Sequence, residues 1–309
     1  MVAVHDAAED DARGTQATGA SLGWTVGDVR ITRVVEWIAV VDLRGFLAGA
    51  EPAVVARHSW LHPDWVDDAG LGHMSMHGLV VDTGARRVLV DTCVGDMRAG
   101  LEVPPRPSSW LEHLADAGYG VDDIDTVLCT HLHFDHVGWN TRLVDGMWVP
   151  TFPGARYLFG RVEWDHWKEH DDNDVGDVNL ADTVRPVVAA GLVDFVETDH
   201  RLCDEVRLVP TPGHTPGHVS VIVESRGERA VITGDIAHHP VQFAEPDIGM
   251  RADDDGARAA VTRRAFLADR VLDGSVVIGT HFGGPTAGRV AADGDAWRFI
   301  SEPPTPRRA

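Results

Sequence analysis

The stretch THLHFDHVGWN, residues 130–140, constrains this chain more than any other. It sets His131, His133, Asp135 and His136 directly after the apolar run DTVLC. A short apolar strand that ends in such side chains delivers them to the carboxyl edge of an α/β sheet, where these folds keep their binding sites. Alternate residues of an extended segment face the same way, so His131 and His133 point together. A turn beyond them swings Asp135 and His136 toward a neighbouring point.

Three other apolar runs end in the same fashion. EVRLVPTPG runs into His214, ERAVITG into Asp235, and GSVVIGT into His281. Five imidazoles and two carboxylates result, more than one tetrahedral ion needs. They suffice for two divalent ions that keep room for water or substrate. Nitrogen and oxygen donors without thiolate suit Zn²⁺, with Mn²⁺, Fe²⁺ or Co²⁺ as alternatives.

The surrounding pattern is mixed α/β. A first strand is expected over 27–37, then a loop-rich stretch over 38–77. GLVVDTGARRVLVDT (78–92) reads as a hairpin about Gly84 and Ala85. SSWLEHLADAG (108–118) has a Ser start and a Gly stop, the signature of a helix. IDTVLCT and ARYLF are strands, the first apolar enough to be buried on both faces. Helices are expected at 161–170, 178–190 and 254–270, and a closing hairpin at 288–300 about Asp293 and Gly294. The acidic stretch DDNDVGD (171–177) lacks the closing Glu of a calcium loop and reads as a solvated turn. Links are short, so residues 21–309 read as one layered domain behind a poorly ordered tail over 1–20.

Composition narrows the partners. The formal net charge of −21 disfavours nucleic acid and anionic membrane surfaces. Three cysteines and no CxxC pair argue against a disulfide framework. The first twenty residues carry no signal-peptide pattern, and no apolar run approaches the ~20 residues of a membrane span. The expectation is a cytoplasmic protein acting on a small molecule, with the stretches 38–77 and 139–200 offering a homodimer face.

HLHFDH matches the HxHxDH signature of the metallo-β-lactamase superfamily, and PTPGHTPGH, TGD and GTH follow in that family's order. The chain resembles that family over roughly 78–283. The resemblance implies a four-layer αββα sandwich, two mixed β-sheets with helices outside and metals at one edge. It implies that His131, His133 and His214 hold one ion, that Asp135, His136 and His281 hold the other, and that Asp235 bridges them. Asp91 matches the Asp that orients a ligand imidazole in the family, and His218 reads as a further hydrogen-bonding support. Two such ions lower the pKa of a shared water to about 7 and present a bridging hydroxide to an ester, lactone or phosphotriester. Asp135 is then both ligand and proton shuttle.

Departures from the family pattern select a branch. β-Lactamases of the family usually carry Cys where Asp235 stands. Ribonuclease-like members carry basic surfaces, and glyoxalase II adds a C-terminal helical domain. The chain is most similar to the lactonase and methyl parathion hydrolase-like branch. Quorum-quenching lactonases have Tyr three residues after the bridging Asp; here His238 stands there, a candidate hydrogen-bond donor to a developing oxyanion. Trp139 and Phe282 flank ligands and are candidate walls of the substrate pocket, with core packing as the plainer reading. His58, His62, His73, His77, His113, His166, His170, His200 and His239 read as solvated or structural. Two other uses of the fold stay open at this point: a polyketide-type cyclase or thioesterase, and a non-catalytic metal-binding protein.

Overall fold

The computed structural model describes residues 5–6, 21–96, 107–169 and 178–306. The expected tail over 1–20 lies outside them, except that the backbone of His5–Asp6 pairs with Val40 and Ala39. The acidic stretch 171–177 also lies outside them.

Period-two alternation builds two sheets and three apolar layers. One sheet runs His5–Asp6, Val29–Val41, Gly72–Asp82, Arg87–Val90, Thr126–Leu128, Arg156–Gly160 and Val193–Val196, with Gly23–Val26 paired to the start of Val29–Val41. The other runs Val206–Pro210, Val219–Ser225, Glu228–Ile232, Val276–Ile278, Ala287–Asp293 and Ala296–Ser301. Leu79, Val81, Val88, Val90, Leu128 and Leu158 face inward and meet Val221, Val223, Ala230, Ile232 and Ile278 between the sheets. Their sequence neighbours Val80, Leu89, Val127 and Tyr157 face outward onto Trp110, Leu114, Val184 and Val187 of the helical layer. On the far side Ile222, Val231 and Val277 meet Phe266 and Leu267 of the helix Gly256–Asp273. The result is the αββα sandwich that the resemblance implies.

Local chemistry sets the elements. The Asp255 side chain caps the long helix by accepting from Arg258 N at 3.0 Å, and Gly274 ends it in the left-handed region at φ 64°. Gly84 (φ 81°) and Gly294 (φ 62°) turn the two expected hairpins.

Two boundary expectations are corrected. The first strand breaks at a turn at Gly27 and Asp28, and its second part, Val29–Val41, runs four residues further than expected. The stretch 38–77 is correspondingly less loop-like, since Gly72–Asp82 is one strand. A register shift between Val35 and Trp37 explains the difficulty: the bulge turns Glu36 inward and interrupts the alternation that marks a strand. A further hairpin, Thr141–Val144 with Met147–Pro150, escaped the sequence reading although Asp145 and Gly146 are a turn pair.

Candidate metal centre

Parallel pairing fixes where the polar cluster sits. Arg87–Val90 pairs parallel to Thr126–Leu128 in one sheet, and Glu228–Ile232 parallel to Val276–Ile278 in the other. Their carboxyl ends deliver Asp91, His131, Asp235 and His281 to one edge. Val206–Pro210 runs in the same sense as Glu228–Ile232, through two antiparallel pairings, and brings His214 there. The short helix Phe134–Val137 turns back after His133 and presents Asp135 and His136.

All seven residues named from sequence meet at this edge. Their donor atoms form overlapping groups, each within 4.8 Å: His131, His133 and His214; His131, His136 and Asp235; Asp135, His136 and His281. Asp235 is central. Its Oδ2 lies 3.2 Å from His136 Nε2, 3.4 Å from His214 Nε2 and 3.7 Å from His131 Nε2, and its Oδ1 lies 3.1 Å from His281 Nε2. Asp135 Oδ1 lies 3.6 Å from His136 Nε2, and its Oδ2 lies 3.6 Å from His281 Nε2. The Asp135 side chain is 14% exposed, against 0–3% for His131, His136, His214, Asp235 and His281, so it faces the mouth.

Hydrogen bonds on the far side of each ring settle which nitrogen points inward. His136 Nδ1 donates to Asp91 Oδ2 at 2.9 Å, His214 Nδ1 to Asp253 Oδ1 at 2.8 Å, and His281 Nδ1 to the Ser75 carbonyl at 3.2 Å. Thr130 Oγ1 donates to Asp91, so it accepts from His131 Nδ1 at 3.1 Å. Four rings therefore aim Nε2 lone pairs at one volume. Their mutual arrangement is costly without a cation: His136 and His281 Nε2 are 3.3 Å apart, and His131 Nε2, His214 Nε2 and Asp235 Oδ1 are buried with no hydrogen-bond partner. Such orphaned donors fit divalent ions, which want deprotonated imidazole and carboxylate.

The electrostatics agree. Burial pushes His131 and His133 well below the ordinary imidazole value. At His136 burial is outweighed by the charges of Asp235, Asp135 and Asp91, and at His214 by Asp235 and Asp253, which raise it to about 9. Burial opposes ionisation of Asp235, yet the surrounding imidazoles of His136, His281 and His238 hold it well below the carboxylate range. The carboxylates thus draw positive charge to this edge.

Around the cluster, His218 accepts from Asp235 N at 2.7 Å through Nε2 and donates through Nδ1 to the Thr211 carbonyl at 3.0 Å. Both nitrogens are spent on shaping the loop. His238 Nε2 lies 3.0 Å from Asp235 Oδ2, its ring stacks on His281 at 5.4 Å, and its buried Nδ1 has no partner. With Nε2 donating to Asp235, the neutral ring keeps an acceptor at Nδ1, so the expected donation from His238 to an oxyanion is corrected: the ring supports Asp235 instead. Both candidate pocket aromatics are corrected to core residues. Trp139 stacks on Trp110 and donates to Glu36 at 2.8 Å, and Phe282 is fully buried against Phe243 and Phe299. His77 and His239 are likewise buried and doubly bonded.

Two supporting carboxylates were not apparent from sequence: Asp253 behind His214, and Glu163 beneath the His131–His133 turn. A third buried carboxylate, Glu36, bonds only groups outside the ligand set. A surface groove of about 730 Å³ lies elsewhere, lined by Thr25, Arg226, Arg229, Gly274 and Arg289. Its arginines are already paired with Asp28, Glu224, Asp273 and Glu302.

The profile of the metallo-beta-lactamase superfamily matches residues 77–281. An N-acyl homoserine lactonase of a Bacillus species is 28% identical over 119 residues, which cover 38% of this chain and 40% of that protein. The chain therefore matches less than half the length of that relative. A probable metallo-hydrolase of Mycobacterium tuberculosis is 26% identical over 189 residues, 53% of this chain and 57% of that protein. Among solved structures, the hydrolase AbOPH of the beta lactamase superfamily superposes with a TM-score of 0.78 at 26% identity, covering 93% of this chain and 99% of that one. AidC, a dizinc quorum-quenching lactonase, superposes at 0.73 and 20% identity, covering 92% and 97%, a likeness of fold.

Proposed function

The chain belongs to the metallo-β-lactamase superfamily, and from that premise we propose that it is a dinuclear metal-dependent hydrolase of esters, lactones or phosphotriesters. The observation that carries this reading is the convergence of four Nε2 lone pairs on two carboxylates, with three of those atoms buried and unpartnered. The lactonase and hydrolase names of similar proteins support the substrate class.

His131, His133 and His214 would hold one ion, Asp135, His136 and His281 the other, and Asp235 would lie between them; Zn²⁺ suits the donor set best. Bound ions supply a hydroxide at neutral pH and a Lewis acid for the scissile group. The chain's own residues do the rest. Asp91 accepts hydrogen bonds from His136 Nδ1 and Thr130 Oγ1, and so fixes two rings at once, His136 directly and His131 through Thr130. Asp135, the carboxylate open to solvent, takes the proton that the attacking water sheds and passes it to the leaving oxygen. His238 steadies Asp235 through Nε2.

The test is a panel of initial rates. Protein loaded with Zn²⁺ or Mn²⁺ is given short and long acyl lactones, an aryl ester, a thioester and a phosphotriester, with Asp135→Asn as the blank. A rate on the lactone, ester or phosphotriester arm, lost by at least about 100-fold in the variant, is the expected result. Turnover of the thioester alone would move the reading to thioester cleavage. Protein that takes up no divalent ion would overturn it.

A further inference from the structure

Glu163 is a buried carboxylate that the hydrolytic reading leaves unused. It is 1% exposed, on the first turn of the helix Arg161–Trp167, a position where Glu ordinarily meets water. Four donors close on it. Oε1 accepts from Leu132 N at 3.2 Å and from Trp167 Nε1 at 2.7 Å. Oε2 accepts from Thr215 Oγ1 at 2.8 Å and from Gly217 N at 3.0 Å.

The identity of those donors matters. Leu132 sits between His131 and His133. Thr215 and Gly217 belong to the turn that presents His214. The Trp167 ring packs edge-on to His133 at 5.6 Å. One carboxylate therefore ties together the three residues of a single donor group, across the seam between the two sheets. Gly217 makes the approach possible, because a Cβ there would stand 2.4 Å from Glu163 N. None of the four donors belongs to the turn carrying Asp135 and His136 or to the loop carrying His281.

We infer that Glu163 is the positioning residue of the His131, His133 and His214 group, setting ion affinity there without setting it at the Asp135, His136 and His281 group. The inference rests on the metal-centre reading above. Gln is nearly isosteric but carries one acceptor oxygen. Whichever way the amide turns, its NH₂ meets a backbone or indole N–H, and one side of the clamp opens. Groups that orient metal ligands typically alter affinity 10–100-fold.

The experiment titrates chelator-stripped protein with Co²⁺ and Zn²⁺ against a chromophoric chelator, following the visible Co²⁺ absorption. Wild type is expected to take two ions. Glu163→Gln is expected to weaken one by about 10–100-fold and leave the other unchanged, with only one Co²⁺ spectral component altered. Thr215→Val, which removes a single donor, should weaken the same ion less, and it carries the test if Glu163→Gln does not fold. Glu36→Gln is the control for a merely structural carboxylate. Glu36 is also buried and accepts from Val94 N, Gly95 N, Ser108 Oγ and Trp139 Nε1, all outside the ligand set. It should lower the melting temperature and leave both affinities in place. Unchanged affinities in both Glu163→Gln and Thr215→Val, equal weakening of both ions, or the same pattern in Glu36→Gln would overturn the inference. A wild type that binds no ion would overturn the metal-centre reading itself.

Discussion

Acidification should expose the cost of keeping His239 neutral. The ring is fully buried, and both nitrogens are committed: Nε2 donates to the Trp65 carbonyl at 2.9 Å, and Nδ1 accepts from Val241 N at 3.1 Å. A second proton on Nδ1 would set N–H against N–H. Burial, opposed by the Trp65 bond, lowers its pKa from the ordinary 6.5 to about 4. The unfolded chain therefore takes up a proton as pH falls through 6.5, while the folded chain waits until about 4. Stability is lost across that window, by about 3 kcal/mol in full at 1.36 kcal/mol per pKa unit, and by roughly 2 kcal/mol at pH 5. The assay is urea unfolding of wild type and His239→Gln at pH 7.5 and 5.0, with a chelator present. Other titrating groups are common to both proteins and cancel in the difference. Between the two pH values wild type should lose about 2 kcal/mol more than the variant. Equal losses would refute the reasoning, because they would mean that His239 titrates alike folded and unfolded.

Two further perturbations probe the scaffold of the site. Asp253→Asn leaves one acceptor where His214 Nδ1 and Met250 N both donate; divalent-ion affinity should fall about 10–100-fold in a chelator competition, with the far-UV spectrum unchanged. Gly138→Ala should cost about 3 kcal/mol or more, read as a fall in the urea midpoint, since the new Cβ would lie 2.0 Å from the Val94 carbonyl.

The ligand edge was legible because its signal is local. Each apolar strand announces itself over a few residues, and the side chain after it is polar where the run was not. Once four strands end that way, parallel sheet geometry brings the ends together. The supports were not legible, for the opposite reason. Glu163 and Asp253 stand among charged neighbours, in RVEWDHWKEH and MRADDDGARA, where a carboxylate ordinarily faces water. What buries them is a partner element distant in the chain: Thr215 and Gly217 for Glu163, His214 for Asp253. Glu36 is hidden by a bulge, which no composition reveals. Trp139 and Phe282, candidate pocket walls whose plainer reading is core packing, follow that plainer reading. Phe282, next to His281, turns the other way into the core, and Trp139, three residues beyond His136, packs in the helical layer.

The donor set is split between the two sheets. His131, His133, Asp135 and His136 follow a strand of one, and His214, Asp235 and His281 follow strands of the other. Neither sheet alone carries the full donor set, and the outermost donors, His131 and His281, stand 150 residues apart in the chain. Ions held by the full proposed set would therefore be captured only after the sheets have docked. Once captured, ions would act as rivets through the sandwich, resisting any slide of one sheet over the other. They would raise the barrier to global opening more than the barrier to fraying at the far edge, where strand ends such as Ser301 carry no donor. Hydrogen exchange would read this as protection gained at the seam and not at the rim.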